Sequence, residues 1–449
     1  MMEKSVRPIL EMNAFDKQSP HNANVARRLA NTGASSVLFY REPIEMVSAE
    51  GVWMTAKDGT RYLDFYNNVP CLGHSHPAVV AAVSQQLAKL NTNTRYIVPI
   101  VDDYLEALKA TFPETLSNVV LTCSGSEAND LAMRLACKHT GGKGFIVTES
   151  AYHGNTSLVT QVSPSALKNT KLPDHVIAIP PPSKKYYGDN IAQGFAERVA
   201  SAIAQLEQRG VKVAALLLDS IFSSDGVFAE PDGFLKQAVE VIHNAGGLYI
   251  ADEVQPGFAR TGTAFWGFQN HDVVPDIVTL GKPMGNGFPM AGVVTKPKFL
   301  DEFCTDVGYF NTFGGNPVAA AAGLAVLNEI KNQNLQDNAR ILGDYLKEGL
   351  QKIADLSPHI GEVRGSGLFL GIDICHPNDS NQPDPEFTLA MIDKFRDENI
   401  LIGAAGADGS TLKLRPALCL TKSEANVFLQ AFKKILDGVE ENIERELGK

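Results

Sequence analysis

The sequence predicts an α/β protein with a large domain built on a mostly parallel sheet, followed along the chain by a smaller α+β domain. Between about residues 119 and 335, apolar segments of strand length alternate with segments of helix length. This alternation is typical of a parallel sheet covered by helices on both faces. After residue 336 the alternation stops, which favours a separate α+β unit. The 449 residues are enough for two or three domains' worth of core.

The elements of the large domain follow from runs of β-branched and apolar residues bounded by turn residues. The predicted strands cover residues 119–123, 144–148, 175–179, 213–218, 248–252, 277–280 and 291–295. Helices are predicted at 127–138, 191–208 and 231–245. A further helix begins at Pro317, because proline suits the first position of a helix.

The flanking segments complete the domain prediction. The N-terminal part contains a helical pattern at 23–29, a hairpin turn at 58–59 and a helix at 78–90. The C-terminal part contains a helix at 336–355, strands at 363–373 and 412–414, and a closing helix at 423–447. We therefore predict an N-terminal segment, 1–74, that joins the small domain, a large domain at 75–335 and a small domain at 336–449.

Composition excludes several classes of partner. The chain has 40 basic and 51 acidic residues without a basic stripe, which argues against nucleic acid. Its six cysteines are scattered and predict reduced thiols of a cytoplasmic protein. The N-terminus lacks a signal-peptide pattern, and the longest apolar run, Val318 to Leu327, is shorter than the ~18 residues of a membrane span. We expect neither a nucleic-acid nor a membrane partner.

Two histidines, His74 and His76, stand at a spacing that metal ligands can have. No third ligand of matching character lies near them in the sequence. A loop before the next helix is the preferred interpretation, and we predict no metal.

Lys282 follows the predicted strand Ile277 to Leu280 and precedes a glycine-rich turn. The carboxyl ends of strands are where open α/β sheets build their sites. Desolvation there lowers the pKa of a lysine and makes a neutral amine available for Schiff-base formation. The alternative is an ordinary solvated loop lysine.

Asp252 repeats the pattern at the end of the preceding strand, Leu248 to Ala251. It could cap a turn, or it could hold a protonated ring nitrogen, because a buried carboxylate needs a cationic partner. A strand-end lysine together with a strand-end aspartate is the pair that pyridoxal 5'-phosphate requires.

Gly125 and Ser126 lie where a strand gives way to a helix start. Backbone N–H groups and the positive end of the helix dipole converge there and can bind a phosphate, although such a sequence alone is more often only a helix cap. Tyr152, which precedes His153 and Gly154, could cover a flat ring.

Together these residues show a resemblance to the class III aminotransferases, pyridoxal-phosphate enzymes of fold type I. The resemblance runs from Tyr62 to the C-terminal helix and is most specific at 125–129, 252–255, 281–282 and 312–317. It implies that Lys282 forms the Schiff base and that Asp252 holds the pyridine nitrogen. The other cofactor-binding residues that it implies are Gly125, Ser126, Tyr152, His153, Gln255 and, from the second subunit, Thr312. It also implies a homodimer or a dimer of dimers.

The substrate side departs from the family pattern. Amino-acid-utilising members carry Glu-Pro-hydrophobic-Gln-Gly-Glu where this chain has Asp219 to Ser224, and Ser224 replaces the second glutamate. Lys413 stands where members that bind an α-carboxylate place an arginine, and a lysine lacks the bidentate fork. Lys413 and Arg415 therefore form a pair of cations on one strand face, unless they are charges on a solvated edge strand.

The resemblance extends to the phospholyase branch, whose members include ethanolamine-phosphate phospholyases and (R)-1-hydroxy-2-aminoethylphosphonate ammonia-lyase. It implies a lyase of phosphonate catabolism that acts on a small amine bearing a phosphonate or phosphate and expels a β-hydroxyl or β-phosphate. The hydroxyl is favoured and gives phosphonoacetaldehyde. Asn68, Lys413 and Arg415 are the predicted substrate-binding residues.

Two other functions remain open. Residues 265–295 also resemble mitochondrial alanine–glyoxylate aminotransferase, which implies an aminotransferase using pyruvate, glyoxylate or 2-oxoglutarate. A non-catalytic cofactor-binding regulator would need an added DNA-binding module, and the N-terminal residues contain no basic helix to supply one.

Overall fold

The structure is a computed structural model that describes residues 22–447. Its helices are α1 Ala23–Thr32, α2 Pro77–Lys89, α3 Pro99–Lys109, α4 Gly125–Thr140, α5 Ser157–Thr160, α6 Lys184–Tyr187, α7 Ile191–Gln208, α8 Leu235–Asn244, α9 Pro297–Asp306, α10 Pro317–Asn332, α11 Leu335–Ala354, α12 Pro385–Asp397 and α13 Lys422–Leu447. Its strands are β1 Met46–Glu50, β2 Trp53–Ala56, β3 Arg61–Asp64, β4 Asn118–Thr122, β5 Gly144–Thr148, β6 Val176–Ile179, β7 Val213–Asp219, β8 Leu248–Asp252, β9 Ile277–Leu280, β10 Ala291–Thr295, β11 Ile360–Ser366, β12 Phe369–His376, β13 Asp379–Pro383, β14 Ile400–Leu401, β15 Gly403–Ala405 and β16 Thr411–Leu414. Among the helices of this part of the chain, none is long and apolar enough to cross a membrane.

A seven-stranded sheet in the order β4-β10-β9-β8-β7-β5-β6 forms the centre of the molecule. Strands β5 to β9 pair in parallel, and β10 runs antiparallel to both of its neighbours. The prediction of an α/β fold with a mostly parallel sheet is confirmed. Each of the seven predicted strands lies within one or two residues of an observed one.

Alternate residues of the central strands bury themselves under helices on opposite faces. On β8, Leu248 and Ile250 join the cluster that contains Leu131 of α4. Tyr249 and Ala251 join the cluster that contains Ile242 of α8. Burying a side chain of this size contributes roughly 1.5–3 kcal/mol. The sequence of the strand is therefore a continuous apolar run, because both of its faces are buried.

Two smaller sheets flank the central one. The first has the order β1-β2-β3-β14, in which β14 from the C-terminal region pairs in parallel with β3. The second has the order β11-β12-β16-β15, with β13 paired to β12. The division of the chain at 74/75 and 335/336 stays a prediction.

Several elements differ from the sequence prediction. The single strand predicted for 363–373 is wrong: it is the hairpin β11–β12, which turns at Gly367 with a φ of +56°. A glycine meets that positive φ without the steric cost that a side chain would carry. The sequence analysis also missed the helices α3, α5, α6, α9 and α12 and the strands β1 and β13 to β15.

The topology brings the candidate site together at one edge of the central sheet. Strands β7, β8 and β9 end side by side at Asp219, Asp252 and Leu280, and Asp219 is the register partner of Asp252. β4 also ends at this edge, since it runs antiparallel to β10 as β9 does. The N-terminus of α4, which follows β4, therefore points into the same cleft.

Candidate active site

Lys282 lies two residues beyond the end of β9. Its amine makes no hydrogen bond or ion pair with the side chains and backbone that the structure describes, and the residue is only partly buried. Burial lowers the pKa of this lysine, the charge of Asp252 partly opposes that effect, and Arg415 adds to it. A lysine in this setting supplies a neutral amine, which is the form that forms a Schiff base.

Three groups of the protein form hydrogen bonds with the Asp252 carboxylate. Its Oδ1 accepts a hydrogen bond from the Val254 backbone N–H at 3.0 Å. Its Oδ2 lies 2.7 Å from His153 Nδ1 and 3.0 Å from the Asn129 amide nitrogen. A carboxylate offers about four acceptor positions. One position therefore remains for a further donor from the cleft, such as a protonated ring nitrogen.

His153 and Asn129 orient this aspartate. His153 is buried behind Asp252, and its Nε2 has no partner among the described residues. The structure thus places His153 against the aspartate. Asn129 is in turn fixed by the Thr279 hydroxyl, which donates to Asn129 Oδ1 at 2.8 Å. Asn129 was quoted in the family motif but was not assigned a role. Its position one helical turn after Gly125 is the signal that points it inwards.

The N-terminus of α4 forms a narrow cradle. Ser124 caps the helix by accepting a hydrogen bond from the Glu127 backbone N–H at 3.3 Å. A Cβ at Gly125 would lie 3.0 Å from Val254 Cγ2, and a Cβ at Gly154 would lie 2.5 Å from Ser126 Oγ. The start of α4 is therefore in close contact with the segment after β8, at Val254, and with the loop after β5, at Gly154. The free N–H groups of the first helical turn are left as phosphate donors.

Tyr152 and Thr312 occupy different surroundings. Tyr152 is half-buried, and burial raises the pKa of its hydroxyl. Thr312 is exposed in the loop between α9 and α10. Its predicted role, contact with the phosphate of a second subunit, stays a prediction.

The residues present fit pyridoxal phosphate. A free amine, a buried carboxylate with one open acceptor position and a helix N-terminus that excludes side chains lie around one cleft. These are the groups that the aldehyde, ring nitrogen and phosphate of this cofactor need.

The family model described as aminotransferase class-III matches residues 39–436. The chain belongs to the class III aminotransferase family. Members of this family are pyridoxal-phosphate enzymes, and the chain depends on the same cofactor. Its fold is fold type I, as the resemblance implied.

Individual relatives of this class III enzyme fall into two groups. A phospholyase from Arthrobacter, solved in complex with phosphoethanolamine, is 42% identical, with a TM-score of 0.89 over 92% of this chain and 99% of that one. Ethanolamine-phosphate phospho-lyase homolog 1 of Caenorhabditis elegans is 36% identical over 91% of this chain and 92% of its own length. The mitochondrial alanine–glyoxylate aminotransferase 2 of Homo sapiens is 33% identical over 89% of this chain and 83% of its own. Similarity to phospholyases is therefore observed beside similarity to aminotransferases.

Lys413 is buried, with 5% of its surface exposed. It lies on β16, which is flanked by β12 and β15, so the alternative of a solvated edge strand is wrong. Its amine donates to the Ser223 backbone carbonyl at 3.2 Å, its one hydrogen bond in the described part of the chain. Burial lowers its pKa well below the ordinary value, and the neighbouring Arg415 lowers it further.

Arg415 follows Lys413 by two residues, just beyond the end of β16. Its Nη1 donates to Gln255 Oε1 at 2.9 Å, and its guanidinium lies 4.6 Å from the centre of the Tyr66 ring. Asn68 donates to the same Gln255 oxygen at 3.1 Å. The structure therefore brings Asn68, Gln255 and Arg415 together in one network.

Gln255 is oriented by Ser223, a residue to which the sequence analysis assigned no role. The Gln255 amide donates to Ser223 Oγ at 2.5 Å, and the Ser223 hydroxyl donates to the Asp219 carboxylate. The second N–H of the amide stays available for the cofactor's phenolic oxygen. Both Ser223 and Asp219 lie in the stretch that departs from the family pattern, which is the signal that could have found them.

The acids nearest to Lys413 are already engaged. Asp219 accepts from the Ile221 and Ser223 backbone N–H groups as well as from the Ser223 hydroxyl. Ser224, at the position of the family's second glutamate, is buried and brings no charge. Lys413 and Arg415 are thus two cations without a carboxylate of their own in the described residues.

The two histidines considered for a metal have other partners. His74 Nε2 lies 2.8 Å from Asp64 Oδ2, and His76 Nε2 lies 3.1 Å from the Gln333 amide. Among the side chains that the structure describes, no group of three or more potential ligands is arranged to hold a metal ion.

Proposed function

We propose that this class III enzyme is a lyase. It expels a β-hydroxyl or β-phosphate from a small amine that bears a phosphonate or phosphate, and it releases ammonia and an aldehyde. The observation that carries this proposal is the buried pair Lys413 and Arg415, which stands beside Lys282 without a carboxylate of its own. The likeness to the Arthrobacter phospholyase supports it.

The charge arrangement favours a phosphorus dianion over an α-carboxylate. A terminal phosphonate or phosphate offers three oxygens and two negative charges near neutral pH. Lys413 has two amine hydrogens without a partner, and Arg415 Nε is buried and unpaired in the described residues. Each charge-assisted hydrogen bond that these donors form contributes roughly 1.5–3 kcal/mol.

Four residues of the chain have separate roles in the proposed reaction. Bound pyridoxal phosphate supplies an electron sink for the bond that breaks at the amine-bearing carbon. Burial lowers the pKa of Lys282 and so favours its neutral form, and its Nζ takes the proton from that carbon. Asp252 holds the positive charge of the ring nitrogen. Lys413 and Arg415 keep the phosphorus oxygens in place.

Both candidate substrates balance without a keto-acid. (R)-1-hydroxy-2-aminoethylphosphonate loses its β-hydroxyl as water, and hydrolysis of the resulting enamine gives phosphonoacetaldehyde and ammonia. Phosphoethanolamine loses phosphate, and the same hydrolysis gives acetaldehyde and ammonia. The phosphorus group lies at the same end of both molecules, so the same two cations recognise it.

The test is ammonia release from each of these amines by the holoenzyme in the absence of any keto-acid. Phosphorus-31 NMR separates the two products, phosphonoacetaldehyde and inorganic phosphate. The proposal fails if neither amine yields ammonia.

A second candidate is an aminotransferase that uses pyruvate, glyoxylate or 2-oxoglutarate. The likeness to alanine–glyoxylate aminotransferase 2 favours it, and Arg415 could bind a carboxylate with two donors. In that case common amino acids convert the enzyme stoichiometrically to the amino form of its cofactor, and a keto-acid restores the absorption of the aldehyde form.

We further propose that the enzyme works as a homodimer or a dimer of dimers. Large apolar side chains are exposed near Thr312: Ile97 is 92% exposed, Phe313 72% and Tyr96 69%. Tyr96 and Ile97 line a groove of about 410 Å³ formed in part by residues 94–98 and 309–311. An exposed apolar patch of this kind marks a protein interface, and a second copy on it would place Thr312 at the partner's phosphate.

The setting that we propose is phosphonate catabolism in the cytoplasm. All six cysteines are free thiols, which is the state that the cytoplasm maintains.

A further inference from the structure

Arg260 is a buried cation without a carboxylate partner in the described residues. Only 2% of its surface is exposed, and burial lowers the pKa of its guanidinium to about 10. Its Nη1 donates to two backbone carbonyls, those of Leu368 at 3.2 Å and of Pro416. Burying a charge costs free energy, and no ion pair within the described residues offsets this cost for Arg260.

The contact between Arg260 and the β11–β12 turn is reciprocal. The Leu368 backbone N–H donates to the Arg260 carbonyl at 3.1 Å, and the Ser366 hydroxyl donates to the Thr261 carbonyl at 2.9 Å. A Cβ added at Gly367 would lie 2.4 Å from the Thr261 carbonyl carbon. The two backbones therefore meet without room for a side chain, and the loop that carries Arg260 is fixed.

The second acceptor, Pro416, directly follows Arg415. The Arg415 backbone N–H donates to the Phe65 carbonyl at 3.0 Å, so Phe65 holds the backbone at Arg415 and Arg260 holds it at Pro416. Gln255, which binds the Arg415 guanidinium, lies five residues before Arg260 in the same loop. One loop thus sets both the backbone and the head group of Arg415.

We propose that Arg260 is a positioning residue for the anionic end of the substrate. It holds the Pro416 carbonyl and thereby sets where the Arg415 guanidinium meets the phosphorus oxygens. The uncompensated charge of Arg260 also adds to the positive potential at that end, because buried charges are weakly screened. This inference rests on the proposed function and adds a residue to it that lies outside the cofactor site.

The experiment compares the holoenzyme with Arg260→Met and Arg260→Lys. For phosphoethanolamine we expect Arg260→Met to raise KM at least about tenfold, with kcat changed less than about threefold. The inhibition constant of inorganic phosphate should rise by the same factor as KM. Arg260→Lys should recover part of the loss, since one amine can reach one of the two carbonyls. The absorption of the bound cofactor should stay unchanged in both variants.

The matched control is Ser366→Ala, which removes a hydrogen bond to Thr261 in the same contact but leaves Pro416 bound. Its KM should stay within about twofold of the wild type. The inference is overturned if folded, cofactor-loaded Arg260→Met keeps the wild-type KM and phosphate inhibition. It is also overturned if Ser366→Ala raises KM as much, because a loosened contact would then suffice.

Two further outcomes complete the test. If Arg260→Met does not fold, a wild-type KM in Arg260→Lys overturns the inference. Failure of the proposed function shows differently: the wild-type enzyme then releases no ammonia from phosphoethanolamine or (R)-1-hydroxy-2-aminoethylphosphonate, before any variant is considered.

Discussion

At the scale of single residues, burial assigns different roles to the two lysines of the cleft. Lys282 and Lys413 both have lowered pKa values. Lys282 faces Asp252 at the ends of β8 and β9, where a neutral amine reacts. Lys413 faces Ser223 and Arg415, where a positive charge is needed once a dianion arrives. The same physical effect therefore helps catalysis at one position and costs binding energy at the other.

Lys282→Ala should abolish both the absorption of the bound cofactor and turnover. In the function that we propose, the amine is the point of covalent attachment and the proton acceptor, and general-base catalysis alone contributes about 10²–10⁴-fold. Visible absorption and ammonia release measure the two losses. Lys296→Ala is the matched control. Lys296 follows β10 and pairs with Asp276, which precedes β9, at the edge of the central sheet opposite the candidate site. Full activity in Lys282→Ala would refute the assignment.

The Lys413 amine should make substrate binding depend on pH. Its pKa in the folded protein is lowered from 10.5, so the cationic form exists below that lowered value and is lost as pH rises through it. A phosphorus dianion needs the cation, and it forms only above the second phosphate pKa of about 6. KM for phosphoethanolamine should therefore be lowest above pH ~6 and rise at higher pH, well before pH 10.5.

Lys413→Arg separates this explanation from other ionisations. An arginine stays charged throughout the range, so the rise of KM at alkaline pH should disappear while the acid limb remains. Steady-state rates at a series of pH values measure both limbs. An unchanged alkaline limb in Lys413→Arg would assign the ionisation to another group.

At the scale of elements, the cleft depends on how closely the loop after β5 approaches the start of α4. Gly154 has a φ of +142°, and a Cβ there would lie 2.5 Å from Ser126 Oγ. Either the loop or the helix start must move if a side chain is added. The free N–H groups of that helix start are the proposed phosphate donors, and a contact between two elements sets their geometry.

Gly154→Ala should therefore weaken cofactor binding at least about tenfold. The added side chain would introduce backbone strain of about 1–3 kcal/mol where the loop contacts the start of α4. Equilibrium titration of the cofactor-free protein with pyridoxal phosphate measures it. Gly188→Ala is the matched control, with a φ of +60° but no atom within 4 Å of the added Cβ. Equal cofactor affinity in the two variants would show that the contact with Ser126 has no role.

At the scale of the whole molecule, the exposed apolar patch around Phe313 and Ile97 predicts that cofactor binding and assembly are linked. If Thr312 completes the phosphate site of a partner subunit, separated subunits should lose cofactor. The patch lies on the loops before α3 and α10, on the same side of the molecule as the start of α4. Assembly would therefore cover the patch and complete the cleft together.

Ile97→Glu combined with Phe313→Glu should dissociate the enzyme and release its cofactor, because a charge in an apolar interface must be desolvated. Sedimentation velocity and visible absorption report the two effects. Leu356→Glu is the matched control: Leu356 is 77% exposed but lies beyond α11, away from the patch. A wild-type protein that is a fully loaded, active monomer would contradict the prediction.

The sequence by itself determined the central sheet and predicted where the candidate cofactor residues lie. Strands buried on both faces appear as uninterrupted apolar runs, and the residue after such a run lies at the sheet edge whatever the rest of the chain does. The positions of Lys282 and Asp252 at the carboxyl ends of their strands could be predicted on that basis, whereas their roles came from the family resemblance. Asn129 could have been found by the same local argument, since it lies one helical turn from Gly125.

Only the tertiary structure decided the substrate side. Whether Lys413 lies on an edge strand or between two strands depends on β12 and β15, and two charges on a short strand are compatible with either arrangement. The pairing of Arg260 with Pro416 joins residues 156 positions apart, and no local pattern encodes it. Desolvation and strand neighbours are non-local properties, so the charge state of Lys413 and the placement of Arg415 emerge only when the chain is folded.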